Sequence, residues 1–581
     1  MTLETIKNWK LQPGLEEKDL KKYLAQSPLL TPQSAILLSN RGVKPKDVLN
    51  FLEPKLEDIP SWKKLYNAKK AAKQILKAVK EDKVIYIHGD FDVDGISATA
   101  ILWEFIYHDL ASFLGKKINV MPYIPDRVDE GYGLSETSVN TMIDKGAQLI
   151  ITVDCGVRDR EIVEKYTKEK GIEFIITDHH QPPEDIKDVK YTIVHQMFPE
   201  NEYPEQTICG SAVAWLLVQG IKEIAGIETA ITETTQGLDL VGLATVTDMM
   251  PLVGINRIFV KYGLVQMQSR NRLGLKAIVD LADVKGGELD SYHLGFVIGP
   301  RINAAGRIGS AMDALRLLVS KDKGQINELA SKLHNLNVQR QETTKELIGL
   351  SNAQVRAQVN NMLLFVVGEN WHEGVIGLVA GRLTEQSGKP SVVVTHNENG
   401  TVKGSARSVV GFNITHALEA HSELLERYGG HAQAAGFSLK YENLEKFQEK
   451  LIKYANDNIS LDLLDNDLYI DLLLELQNID EALFNSLQLL KPFGYGNTKP
   501  VVEVNRVEVM EKFEMSNGKH LKLKLIQGET VMSAVMFGCE EDIAKLNVGD
   551  ILDIVGYLSL NEWEGHKEMQ LQLKEWRRSI Y

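Results

Sequence analysis

The densest chemistry in the 581 residues is the run His88-Gly89-Asp90-Phe91-Asp92-Val93-Asp94-Gly95, which packs one imidazole and three carboxylates together. It follows directly on VIYI, a run of β-branched and aromatic residues that predicts a strand. Carboxylates this close repel one another and need a cation, so the run predicts a metal site rather than a loop solvating its own charges. Gly89 and Gly95 permit a turn at either end, and Ser97 is a candidate cap for the helix SATAILWEFIYHDL. Two more apolar runs end the same way: QLIITV runs into Asp154-Cys155-Gly156, and EFIIT into Asp178-His179-His180. A fourth acid, Asp248, interrupts LDLVGLATVTDMMPL, where an unpaired charge is costly and implies a partner. Carboxylate oxygens with imidazole nitrogens and no thiolate suit Mn²⁺ or Mg²⁺, and the ligands exceed what one ion needs. Two ions are therefore expected, the arrangement that activates a water and stabilises the leaving oxygen in phosphoester displacement. Cys155 is read as a small buried residue at a strand end.

The elements that must position these residues follow from the hydrophobic pattern. Strand-like runs VIYIH (84–88), INVMPYI (118–124), QLIITVD (148–154), EFIITD (173–178) and YTIVH (191–195) alternate with helix-period segments. Near-continuous apolar strands separated by helices predict a doubly wound parallel α/β sheet, and the carboxyl ends of such strands line the ligand crevice. We assign residues 1–60 to a helical lead-in, 61–323 to the catalytic domain, 324–361 to a linking helix, 362–458 to a second α/β domain and 459–581 to a small barrel of the OB type. The linking helix carries Ile326, Leu329, Leu333 and Leu336 as one narrow apolar stripe on a polar rod. The barrel rests on about five short alternating strands with turns such as Asn517-Gly518.

Other candidates could grip a phosphodiester. Arg301, Asn303 and Arg307 in GPRINAAGR offer bidentate, charge-assisted hydrogen bonds. In the second α/β domain, Gly429 and Gly430 could bring backbone N–H groups close to a phosphate, with His431 as a further donor and AQAAG starting a helix. Ser405 and Arg407 in GSARS supply a small residue and a cation. Trp371 and His372 fit either base stacking or a helix entry, and Lys519, His520, Lys522 and Lys524 make a modest basic strand in the barrel.

Composition narrows the class. The length suits about four domains, and 44% hydrophobic with 25% charged residues excludes disordered and fibrous chains. A net charge of -14 argues against indiscriminate coating of nucleic acid or anionic membrane, while allowing a local basic groove. No apolar run approaches the ~20 residues of a membrane span. The start MTLETIKNWK lacks the apolar stretch of a signal peptide, so a cytoplasmic location is expected. Three cysteines cannot form a disulfide framework.

HGDFDVDG, VDCG, TDHH and Asp248 together resemble the four metal-site motifs of the DHH phosphoesterase family, and GPRINAAGR, WHEGVIGLVAGRL, GSARS, GGHAQAAG and PFGYGN narrow the likeness to its single-stranded-DNA exonucleases over nearly the whole chain. The resemblance implies a metal-dependent 5′ to 3′ exonuclease that releases mononucleotides from single-stranded DNA in repair and recombination. It places one ion on His88, Asp92 and Asp154 and a second on Asp94, Asp154, His179 and Asp248, with Asp154 bridging. It puts His180 near the scissile phosphate as hydrogen-bond donor or acid, and makes Asp90 and Asp178 residues that orient ligands. The rest of the substrate grip falls to Arg301, Asn303, Arg307, Ser405, Arg407, Gly429, Gly430 and His431. Single-stranded DNA is the implied partner, a single-strand-binding protein and a helicase its natural companions, and one chain holding both lobes of the cleft makes a working monomer. One departure stands out: the family carries Asn-Pro where this chain has His195-Gln196.

Overall fold

Five apolar runs pair into a parallel sheet in the order Val120–Tyr123, Ile85–His88, Leu149–Val153, Glu173–Thr177, Thr192–Val194. The computed structural model describes residues 8–184, 186, 189–284, 288–396, 400–460, 467–539, 543–563 and 566–579. Leu149–Val153 is buried along its whole length, as expected of a central strand with helices on both faces. The chain leaves Ile85–His88 for the edge strand on one side, then crosses to Leu149–Val153 on the other. The strand order thus reverses between these two strands, and ligands bind outside the carboxyl ends at such a switch point. His88–Asp94 and Asp154 extend from those two ends.

Among the described residues the chain forms two compact units, one of residues 59–250 and 258–460, the other of 8–58, 251–257 and 467–579. The first unit holds the parallel sheet, a helical stretch, the helix Lys323–Ala357 and a second sheet. Ile326, Leu329 and Leu333 are buried near the start of that helix, and Leu347 enters the core of the second sheet with Val366, Val379 and Leu383. The second sheet is mixed, in the order Arg427–His431, Ala434–Lys440, Thr401–Arg407, Ser391–His396, Leu364–Glu369, with only the last two strands parallel. This corrects the helix expected at AQAAG, which is a strand of a hairpin, and makes GSARS the end of a strand.

In the second unit, strands Val502–Met515, His520–Gln527, Thr530–Phe537, His566–Arg578 and Ile551–Trp563 close into a barrel through pairing of the last with the first. Leu472–Leu474 adds a short parallel strand to Val502–Met515. Residues of the lead-in are part of the same core: Tyr23, Leu37 and Leu38 pack with Leu521, Leu523 and Val504, and Asn8–Leu11 pairs with Asp467–Ile470. Arg257 donates to the carbonyls of Phe51, Leu490, Lys491 and Pro492, stapling three segments of this unit. Among the described residues no helix is long and apolar enough to cross a membrane.

Candidate active site

The acidic run turns directly into a helix, Val93–Glu104, whose cap is Asp92: its Oδ1 accepts from the N–H of Asp94 at 2.9 Å and of Gly95 at 3.1 Å. Ser97, the cap expected from the pattern, lies inside this helix and is buried. Asn303 fixes the same turn, its Oδ1 accepting from the N–H of Val93 at 3.1 Å, so this side chain braces the metal loop. Asp94 points at the start of the helix Gly210–Ala225, where the N–H groups of Gly210 and Ser211 donate to its two oxygens at 2.6 and 2.7 Å. These bonds hold the carboxylate where a helix N-terminus favours negative charge. Asp154 has a left-handed backbone, φ +64°, which is uncommon for a residue with a side chain and aims its carboxylate across the strand ends. Asp248 lies immediately after the helix Leu238–Thr247.

These elements bring His179 Nε2 to 3.1 Å from Asp154 Oδ1, 3.5 Å from Asp248 Oδ2 and 3.7 Å from Asp94 Oδ2. Asp90, Asp92 and Asp154 offer a second set of oxygens within 4.8 Å of one another. His88 Nε2, Asp90 Oδ1, Asp154 Oδ1, His179 Nε2 and Asp248 Oδ2 are buried without a hydrogen-bond partner. Buried polar atoms are almost always satisfied, and the bare atoms of Asp90, Asp154, His179 and Asp248, residues joined through Asp154 and His179 in overlapping ligand sets, fit divalent cations, while His88, also bare, lies outside those sets. Burial, then repulsion from Asp92 in the case of Asp90 and from Asp94 and Asp92 in the case of Asp154 and Asp248, pushes these three well above the ordinary carboxylate range. Burial lowers His88 to about 4, and burial with the charge of His180 lowers His179 to about 4, leaving both imidazoles neutral and able to ligate.

Asp90, expected to orient ligands, has an unpartnered Oδ1 and offers a carboxylate oxygen within 4.8 Å of those of Asp92 and Asp154. Asp178 has the bonding of an anchor: it accepts from the N–H groups of Val157, His179 and His180 at 2.9, 2.7 and 3.1 Å and contacts His180 Nδ1 at 2.8 Å. Burial alone would lower His180, but the hydrogen bond to Asp178 and the surrounding carboxylates hold it up at about 9. Burial alone would likewise raise Asp178, yet His180 keeps it well below the ordinary carboxylate range. Asp178→Ala is expected to cost about 3–5 kcal/mol, since it strands a buried charged partner and three N–H groups. Urea unfolding measures this, and a loss no larger than that of a surface ion pair would show that other contacts hold the loop.

The His195-Gln196 departure braces the same loop. His195 Nδ1 accepts from Met197 N, leaving Nε2 to donate to the His180 carbonyl at 2.8 Å, while Gln196 Nε2 donates to the carbonyls of Gln206 and Ile208. Cys155 is buried 3.6 Å from His88 Nδ1, with burial pushing its thiol up and away from reactivity.

From the second sheet, the strand Arg427–His431 carries Gly429 and Gly430 and sets the His431 ring parallel to His180, centroids 6.3 Å apart. Arg307 and Arg407 are half-buried, with Arg127 among the charges that act on both, and Arg340 of the long helix also acts on Arg307. Burial and these neighbouring charges lower Arg307 to about 9. Ser405 Oγ accepts from Arg407 Nη1 at 3.2 Å. Among the described residues none of these four guanidiniums forms a salt bridge, although Asp90 and Asp92 lie near enough to raise Arg127. Unpaired, converging guanidiniums suit a phosphate. Arg301 stands outside this group, bonded to the Val297 carbonyl at 2.7 Å and to His334 at 3.4 Å. Trp371 packs over Gly368 and His372 caps the helix Glu373–Ser387, so both have structural work.

Sequence reasoning missed Arg127, Arg340 and Tyr132. Tyr132, between Gly131 and Gly133 at positive φ, reaches His180 Nδ1 at 2.9 Å and donates to the Asp154 carbonyl at 3.2 Å. The Gly-Tyr-Gly turn was the available signal for it; single arginines leave none.

Comparison with known proteins places three family models on the chain: the N-terminal domain of the DHH family at residues 84–245, the DHHA1 domain at 359–457 and the RecJ OB domain at 470–575. The chain is 32% identical over 571 residues to the single-stranded-DNA-specific exonuclease RecJ of Bacillus subtilis, covering 98% of this chain and 70% of that protein. It is 31% identical to RecJ of Haemophilus influenzae, covering 90% and 92%. The crystal structure of Thermus thermophilus RecJ with Mn²⁺ matches with a TM-score of 0.82 at 28% identity, covering 99% of this chain and 80% of that one.

Proposed function

Because the chain belongs to the RecJ family of single-stranded-DNA-specific exonucleases, we propose that it hydrolyses the phosphodiester bonds of single-stranded DNA from the 5′ end, releasing mononucleotides in repair and recombination. The observation that carries this reading is the set of five bare, buried ligand atoms beside four guanidiniums that have no salt-bridge partner among the described residues. A cation site next to a phosphate grip is what phosphodiester hydrolysis needs.

As the family resemblance implies, His88, Asp92 and Asp154 would hold one Mn²⁺ or Mg²⁺ and Asp94, Asp154, His179 and Asp248 a second; ligand atoms of Asp90, Asp92 and Asp154, and of Asp94, His179 and Asp248, lie within 4.8 Å of one another in support. Ions bound there supply an activated water and neutralise charge on the phosphate. The chain's own residues do the rest. Asp178 keeps His180 charged and oriented, so its ring can donate a hydrogen bond, and in time a proton, to a phosphate oxygen. The Tyr132 hydroxyl meets the same Nδ1 at 2.9 Å and helps to fix the ring. Arg127, Arg307 and Arg407, with Ser405, grip a phosphate, and His431 closes over the site. The His431 ring lies parallel to that of His180 with centroids 6.3 Å apart, so the second sheet forms the far wall of a cleft over the strand ends. One chain carries both walls of this cleft, which makes the monomer the working form, and a single-strand-binding protein and a helicase are the natural companions on such DNA.

A panel of single-stranded DNA, duplex, dinucleotide and pyrophosphate, each incubated with Mn²⁺ and with EDTA, tests the substrate class. Metal-dependent hydrolysis of single-stranded DNA far ahead of the others is expected; preference for the dinucleotide or pyrophosphate would overturn the reading while keeping the metal chemistry.

A further inference from the structure

We propose that Tyr292 and Phe296 form an aromatic platform beside the metal centre on which unpaired bases of the substrate strand stack; this deepens the single-stranded-DNA reading and rests on it. The two rings are 60% and 70% exposed, yet they lie against each other with centroids 5.1 Å apart and planes 23° from parallel. Exposed aromatics are ordinary singly, but a stacked pair turned to solvent is an ordered apolar surface, left open among the described residues. Leu294 and Ile298 of the same turn are buried, so the turn has a conventional inner face and has kept its two largest rings for the outer one.

Its position connects it to the site. Gly295 faces Val246, where an added Cβ would come within 3.4 Å, and Gly299 sits against the Thr247 methyl. The turn thus packs on the end of the helix Leu238–Thr247, and the next residue is Asp248, one of the bare ligands. Met249 follows, 63% exposed with φ +56°. Beside the platform, Arg301 is held by the Val297 carbonyl at 2.7 Å, and among the described residues it has no carboxylate partner. Flat aromatic faces next to an uncompensated cation are the combination that holds single strands, the rings taking bases and the cation the backbone. A protein partner would have no need of continuity with the hydrolytic centre. Paired DNA could not use the surface, since its base faces are already stacked, so the platform would also favour single strands. It gives Arg301, which stands apart from the other guanidiniums, a phosphate of its own further along the strand.

The test is a cycle of side-chain and base deletions, read by anisotropy of labelled oligothymidylate binding to the full chain in EDTA. Phe296→Ala and Tyr292→Ala are each expected to weaken binding by roughly fivefold to a hundredfold, the loss on deleting one base–aromatic stack, with the salt dependence of affinity unchanged because no charge is removed. Phe296→Trp should restore affinity. Moving a single abasic site along the strand should find a position that weakens the native protein comparably and the alanine variants no further. Unchanged affinity, or a loss that is the same with and without a base at every position, overturns the platform. If the native chain binds and cleaves single-stranded DNA while the variants behave as native, only the platform falls; if the native chain does neither, the underlying reading falls with it.

Discussion

Asp154→Asn is expected to abolish hydrolysis, by about a thousandfold or more, while leaving the metal-free protein at least as stable as the native chain. The activity loss follows because this carboxylate belongs to the oxygens offered with Asp90 and Asp92 and also meets His179 at 3.1 Å. On the proposed reading it is shared by both ions, and losing it would forfeit several kcal/mol of charge stabilisation, about three orders of magnitude in rate. Stability moves the other way because burial and the charges of Asp94, Asp92 and Asp248 already disfavour an ionised group here. Asn accepts the left-handed φ of +64° more readily than Ala, which keeps the comparison clean. Thermal unfolding in EDTA and in Mn²⁺ separates the effects. The native chain should gain stability on adding Mn²⁺, by about 4 kcal/mol at a thousandfold excess over Kd, and the variant should gain much less. Equal metal stabilisation with retained turnover would remove Asp154 from the centre of the account.

The second large effect is expected at Arg307. Replacing it with Met should lower kcat/KM on single-stranded DNA by about two to three orders of magnitude, the value of one or two charge-assisted hydrogen bonds to phosphate. The folded protein should not suffer, because Arg307 is half-buried among the like charges of Arg127, Arg407 and Arg340, with the Gly374 carbonyl at 3.4 Å as its protein hydrogen-bond partner. Relieving that repulsion should hold or raise the melting temperature without DNA, and the slope of log affinity against log salt should shrink by about one. A lower melting temperature with kcat/KM close to native would make Arg307 a structural residue instead.

What could be read in advance followed from how local its cause was. The strand-end acids were legible because an apolar run followed by Asp is at once a strand signal and a position signal: in a parallel sheet the carboxyl ends share one edge. The two-domain α/β arrangement and the barrel were legible from period alone. Ser97 misled because the helix starts inside the acidic run, with Asp92 doing double duty as cap and candidate ligand. The hairpin at Gly429 was missed because Gly and Ala have weak strand propensity, and its pairing is decided by Thr401–Arg407 alongside. The bond that the Asn303 Oδ1 accepts from the Val93 N–H was not foreseen, and Arg127 and Arg340 had no pattern to give them away. Their convergence on Arg307 comes from segments far apart in sequence, as does the sharing of one core by Tyr23, Leu38 and the barrel.

The most direct test of the account is the time course of digestion of 5′-labelled and 3′-labelled single-stranded DNA, with a duplex control, in Mn²⁺ and in EDTA. Labelled mononucleotide should be released at once from the 5′-labelled strand, only later from the 3′-labelled one, and not at all from the duplex, in EDTA or with Asp154→Asn. Immediate release from the 3′-labelled strand, or cleavage that survives EDTA, would contradict it.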